Sequence, residues 1–193
     1  MARICIINGH PDPSPERYAH ALASAYEEGA VAGGHEVRLI TVGSLAFPFL
    51  RDPADFRAPE VPPAILDAQA VIHWADHVVL IYPLWHGMLP AVLKGFIEQL
   101  FRHGFAMDVR PTGWTPHLTG KSARIVVTMS TPAFLYRHFF FAHSLRALKR
   151  HVVGFSGMKP IRSSIVGSVD LRGSDARRGH WLKRMREFGR RAI

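Results

Sequence analysis

Apolar residues in this chain fall into short, nearly unbroken runs separated by longer stretches of mixed character. Arg3–Asn8 (RICIIN), Glu36–Val42 (EVRLITV), His77–Tyr82 (HVVLIY), Ala123–Met129 (ARIVVTM) and Pro160–Val166 each have the length and β-branched content of a strand. The run at His77–Tyr82 suits a central parallel strand covered on both faces. Helical patterns lie between the strands. Glu16–Ala32 places Tyr18, Ala21, Leu22 and Ala25 on one side, and Gly33 and Gly34 stop it. Pro63–Ala75 reads as a helix, and so does the stretch from Pro90 to Phe101, with proline at the first position. Phe134–Arg150 is aromatic-rich and predicted helical for much of its length. Ser174–Arg190 closes the chain as a helix with Trp181, Leu182, Met185 and Phe188 in an apolar stripe. Two stretches, Gly43–Pro63 and Gly104–Lys121, fit neither pattern and are predicted to be irregular excursions.

Strands alternating with helices predict one α/β domain over residues 1–193, with a parallel sheet covered on both faces and right-handed crossovers. Such sheets bind ligands beyond the carboxyl ends of their strands. The chemistry is therefore expected after Asn8, Tyr82 and Met129.

Composition narrows this picture modestly. The chain has 193 residues, 48% of them hydrophobic, which is enough for a sizeable core and argues against disorder. The single cysteine, Cys5, has no internal partner, and a reducing compartment is the expectation. The first apolar run is too short for a signal peptide or a membrane span, so a cytoplasmic location without a membrane span is expected. Net charge is +9, much of it between Arg172 and Arg191. A solvated amphipathic helix accounts for that cluster. A nucleic-acid footprint lacks any accompanying reading module. A positive field also suits anionic cofactors such as NAD(P)H. The 12 histidines match no catalytic zinc spacing, so no metal is expected.

The loop after the first strand carries Gly9, His10, Ser14, Glu16 and Arg17 ahead of a helix. A phosphate there would meet free backbone N–H groups and the positive end of the helix dipole. Asp12 and Ser14 read equally well as turn and capping residues. After the third strand, YPLWHGMLPAVLKG sets Pro83 and Pro90 on either side of Leu84, Trp85, His86 and Gly87. A stiff loop with an aromatic side chain and exposed amides suits a planar heterocycle; core packing is the competing reading for Trp85. After the fourth strand, Thr128, Met129 and Ser130 precede Tyr136 and His143, which are seven residues apart. In a continuous helix these two would share a face and could donate or relay a proton. Core packing is the competing reading for both. The run Phe139–Phe141 suits a pocket wall or a dimer interface.

Three stretches carry a family resemblance: GHPDPSPERYAHAL at Gly9–Leu22, YPLWHGMLPAVLKGFIEQLF at Tyr82–Phe101, and GFA at Gly104–Ala106. The chain resembles the NAD(P)H dehydrogenase (quinone) family of flavodoxin-like fold. The resemblance implies a five-stranded parallel sheet of order 2-1-3-4-5 in a three-layer α/β/α arrangement. It implies a homodimer, FAD or FMN as cofactor, NAD(P)H as electron donor and a quinone or other small acceptor, served alternately in a ping-pong cycle. It carries phosphate and ribityl contacts onto His10 and Ser14, the ring frame onto Leu84, Trp85 and His86, and a catalytic tyrosine onto Tyr136 with a histidine partner at His143. A flavin-binding accessory subunit with little turnover is the alternative reading.

Two departures stand out. Ser14-Pro15-Glu16-Arg17 replaces the Ser-Phe-Asn of many members, and Thr128-Met129-Ser130-Thr131 replaces Thr-Thr-Gly-Gly. The second would narrow the space over the ring.

Overall fold

The computed structural model describes residues 1–57, 60–102, 104–171 and 173–193, without the side chain of Arg57. Arg172, counted above with the basic tail, lies outside the described residues. Five parallel strands form the main sheet: β1 (Arg3–Asn8), β2 (Glu36–Thr41), β3 (His77–Pro83), β6 (Ser122–Thr128) and β7 (Ile161–Val166), in the order β2-β1-β3-β6-β7. This is the doubly wound order expected, with one short antiparallel hairpin added in the excursion before β6. That hairpin is β4 (Met107–Arg110) paired with β5 (Gly113–Pro116).

Strand side chains alternate between the two faces, so each central strand feeds two cores. Ile4 and Ile6 of β1, Val79 and Ile81 of β3 and Val126 of β6 pack with Leu22 and Tyr26 of α1 (Tyr18–Ala32) and Met185 of α6 (Asp175–Arg190). Cys5, Ile7, Leu80, Tyr82 and Val127 face the other way, onto Ile65 of α3 (Pro63–Trp74) and Leu93 and Phe96 of α4 (Ala91–Leu100). Burial on both faces explains why these strands read as continuous apolar runs. The edge strand β2 has no such cover and keeps Glu36 and Arg38.

The α1–α6 contact is very close. A Cβ on Gly29 would lie 2.0 Å from the carbonyl oxygen of Arg186, and one on Gly189 would lie 2.0 Å from that of Tyr26. The apolar stripe of the last helix docks as expected. Arg124, buried in the sheet, stacks its guanidinium 3.7 Å from the Phe188 ring centre.

The first excursion contains a single 3-10 turn at Val42–Ser44 and the short helix α2 (Pro53–Arg57). The aromatic segment at 134–150 is helical for much of its length, as expected, but the helix is broken at 140–142. A π turn covers Leu135–Phe139, Phe141 and Ala142 adopt left-handed φ of 53° and 48°, and α5 (His143–Ala147) then starts in a new direction before a second π turn at Leu148–Val153. Non-glycine residues in that region cost backbone energy, and neither Phe nor Ala announces the break.

Candidate functional site

The carboxyl ends of β1, β3 and β6 open onto a cleft of about 490 Å³. The β1 loop supplies His10, Glu16 and Arg17; the β3 loop supplies Pro83, Leu84 and Trp85; the β6 loop supplies Thr128, Met129 and Ser130. Nine of the residues singled out from the sequence are thus brought together.

The β1 loop is ordered by its own polar groups. Asn8 Oδ1 accepts the His10 backbone N–H at 3.2 Å, which turns its amide nitrogen toward His20 Nδ1 at 2.7 Å. His20 must then carry its proton on Nε2, which lies 2.9 Å from the Asp12 carbonyl oxygen. His10 Nδ1 lies 3.1 Å from the Asp12 backbone nitrogen and 3.0 Å from the Asp12 carbonyl oxygen, so the ring is held against Asp12 in either tautomer. Burial is the largest influence on His10 and lowers its pKa.

Asp12 does not cap α1. Its carboxylate accepts the Ser14 N–H at 2.9 Å and pairs with Arg17 at 2.6 Å, and these contacts hold it below the usual carboxylate range. Helix α1 begins after Arg17 with no side-chain cap, and Tyr18 and Ala19 of its first turn line the cleft. Ser14 does not line the cleft; its backbone is used in the turn that positions Arg17.

The β3 loop is a tight turn. Trp85 and Met88 exchange backbone hydrogen bonds of 3.0 and 2.8 Å, while His86 and Gly87 have φ of 48° and 77°, the two positive values of a type I′ turn. The turn lifts Trp85 out of the core, 47% exposed, with its ring edge-on to His10 at 6.1 Å. The core-packing reading of Trp85 is thereby set aside. Two of the amides of this loop are already taken: Leu84 N–H is bonded to the Thr128 carbonyl and Trp85 N–H to that of Met88.

His86 and Gly87 turn instead into a second hollow of about 330 Å³, shared with Leu84, Thr131, Tyr136, Phe140 and His143. The two hollows meet at Leu84. Tyr136 and His143 do come together here, but through the left-handed break rather than along one helix. Tyr136 is buried and His143 exposed. The Tyr136 hydroxyl lies 2.9 Å from Ser144 Oγ, so Ser144, not His143, is its side-chain partner among the described residues.

Sequence reasoning missed the far wall of the cleft. Val169 and Asp170 follow β7, where the strand-end rule would have found them. The Ser130 hydroxyl donates to Asp170, tying the β6 and β7 loops together. Arg178, read only as part of a solvated helix face, reaches the cleft over Tyr18. Its guanidinium is 4.7 Å from the ring centre, and the Tyr18 hydroxyl donates to the Arg178 carbonyl at 2.9 Å. Burial pushes that phenol up to about 12.

A doubly wound α/β protein with a cationic helix terminus and an aromatic turn at one sheet edge is a class defined by its fold and cleft together. The chain belongs to the flavodoxin-like fold family, whose profile matches residues 2–188. It is 26% identical over 177 residues to an uncharacterized NAD(P)H oxidoreductase of Haemophilus influenzae, covering 90% of this chain and 87% of that protein. It is 36% identical to a ribosyldihydronicotinamide dehydrogenase-like protein of Penicillium crustosum over 73 residues, 34% of this chain, and spans only 27% of that protein's length. The fold superposes on an NAD(P)H:quinone oxidoreductase from Methanothermobacter marburgensis with a TM-score of 0.84, at 21% identity, covering 99% of this chain and 96% of that one. It also superposes on an FMN-dependent NADH-azoreductase from Bacillus anthracis in complex with FMN, with a TM-score of 0.79, at 14% identity, covering 100% and 99% of the two chains. Among the described residues, no helix is long and apolar enough to cross a membrane.

Proposed function

We propose that this protein is a flavin-dependent oxidoreductase that passes two electrons from NAD(P)H to a quinone or another small electrophilic acceptor. The observation that carries this reading is the junction at Leu84. There a cleft with an uncapped helix terminus at one end adjoins a hollow that holds a buried tyrosine. The names of the relatives and of the superposed proteins point the same way.

The donor set fits a flavin. The N-terminus of α1, His10 and Arg17 suit a phosphate, and Arg178 adds a second cation that would meet the longer anionic chain of FAD. Ser14 acts through the turn that orients Arg17, and Glu16 borders the same end. Pro83, Leu84 and Trp85 on one side and Thr128, Met129 and Ser130 on the other would frame the ring, with His86 and Gly87 at the mouth of the acceptor hollow. When bound, FMN or FAD would take hydride from the nicotinamide and release the electron pair to the acceptor. The protein's part is to bind and orient the reactants and to supply a proton at the acceptor oxygen from Tyr136 Oη. Exposed His143, in the same hollow, suits relay from solvent. The chemistry belongs in the cytoplasm, where nicotinamide donors are replenished.

The test is a visible spectrum of protein purified without added cofactor, followed during anaerobic addition of NADH or NADPH and then a quinone. A flavin band that bleaches with the donor and returns with the quinone is expected, and the mass of the released cofactor distinguishes FMN from FAD. A chain that stays colourless after reconstitution with either flavin overturns the proposal.

A further inference from the structure

We propose that Ser144 is a positioning residue that directs the phenolic proton of Tyr136 into the acceptor hollow. This rests on the function proposed above.

Donors and acceptors meet at a single buried oxygen. Tyr136 and Ser144 are each 3% exposed, and among the described residues Tyr136 Oη has two hydrogen-bond partners: Ser144 Oγ at 2.9 Å and the Leu145 backbone N–H at 3.4 Å. The amide can only donate. If the phenol in turn donates to Ser144, its proton points into the protein and is lost to the acceptor. If Ser144 donates, Oη receives two hydrogen bonds and its own proton is left for the hollow. The second arrangement also places two donors where negative charge develops as the proton departs. The backbone is shaped to allow it. The left-handed pair Phe141–Ala142 turns the chain back, and the Ala142 N–H bonds the Tyr136 carbonyl at 2.9 Å, bringing Ser144 and Leu145 to the hydroxyl of the same residue.

In the step itself, the acceptor receives an electron pair as hydride originating in the nicotinamide. The Tyr136 O–H bond breaks, a new O–H bond forms on the acceptor oxygen, and the phenolate is held by Ser144 Oγ–H and Leu145 N–H. Water reprotonates it through the open side of the hollow, past His143.

The experiment compares Ser144→Ala, Ser144→Thr, Tyr136→Phe and the Tyr136→Phe/Ser144→Ala double variant, each with its melting temperature recorded. Flavin content and the rate of reduction by the donor are measured separately from the rate of reoxidation by quinone. Ser144→Ala is expected to slow reoxidation about tenfold and leave reduction unchanged, with Thr restoring it. The double variant should be no slower than Tyr136→Phe alone, because Ser144 acts only through that hydroxyl. Exchange of the Tyr136 hydroxyl proton with solvent, followed by NMR in the ring-labelled protein without flavin, should slow in Ser144→Ala and recover in Ser144→Thr, whereas a quickening in Ser144→Ala would mean that the phenol donates to Ser144 and would overturn the role. Unchanged reoxidation in a flavin-loaded Ser144→Ala protein overturns the role of Ser144 alone. Additive losses in the double variant also overturn it. A wild-type chain that binds no flavin overturns the functional reading, and this role with it.

Discussion

His20 shows how a residue outside the cleft's lining governs one inside it. It bridges Asn8 to the Asp12 carbonyl and so fixes the turn against which the His10 ring is held. His20→Leu should weaken flavin binding about tenfold, roughly 1.4 kcal/mol. Isothermal titration with FMN and FAD measures this, and an unchanged affinity would mean the loop is ordered without the bridge. The sequence exposed His10 because it stands directly after a strand. It hid His20, which sits in a helix where a polar residue ordinarily means solvent. His77, at the start of β3, has no part in the cleft but sets an acid limit on the fold. Its Nδ1 lies 2.7 Å from Ser122 Oγ, its Nε2 is buried without a partner among the described residues, and burial followed by Arg124 and Arg162 lowers its pKa to about 4. The unfolded chain binds that proton near pH 6.5 and the folded chain only near pH 4. Stability is therefore complete above about pH 6.5 and is lost as pH falls toward 4, by roughly 3 kcal/mol at most. Urea melts across that window should show the loss, and His77→Phe should flatten it.

Among the elements, the last helix is tied to the first through glycine rather than through side chains. Alanine ordinarily favours a helix over glycine by about 1 kcal/mol. At Gly29 packing reverses that preference, because the new methyl would fall 2.0 Å from a backbone oxygen that cannot rotate aside. Gly29→Ala should cost about 2 kcal/mol. Gly179→Ala, also helical but with nothing within 4 Å, should gain about 0.5–1 kcal/mol. Chemical denaturation of the pair tests the sign, and two changes of the same sign would refute the close-contact account. The sheet strands were legible because burial on both faces leaves little choice but apolar residues. The β4–β5 hairpin was not, since strands of four half-exposed residues carry no such pattern. The break after Phe139 was illegible for another reason. Its left-handed residues are Phe141 and Ala142, without the glycine that usually marks such a turn. The break nevertheless decides the chemistry of the hollow, because it exchanges His143 for Ser144 at the Tyr136 hydroxyl.

At the scale of the molecule, the surface around the acceptor hollow is more apolar than a solitary protein sustains. Phe134, Phe139, Phe140 and Phe141 are 64%, 71%, 50% and 54% exposed, and Met88 beside the Trp85 turn is 56% exposed. We propose that a second copy of the chain covers this face in a homodimer. The charge distribution then makes a particular demand. Between Asp108 and Asp170 every charged side chain is Lys or Arg, so a two-fold contact through the aromatic segment brings Arg137 and Arg146 of one copy toward the same positive surface of the other. Apolar burial favours association while like charge opposes it, and salt screens only the second. The dimer should therefore tighten as salt rises from about 0.05 M to about 0.5 M, the reverse of an interface held by ion pairs. Sedimentation equilibrium at both salt concentrations measures this directly. Phe139→Ser with Phe141→Ser should give a folded monomer whose melting temperature falls by no more than the lost association accounts for, since both rings are exposed within one copy. A wild-type chain that sediments as a monomer at about 50 µM in either salt would overturn the homodimer. A dimer that loosens as salt rises would place the interface elsewhere, on a face where acidic and basic residues alternate.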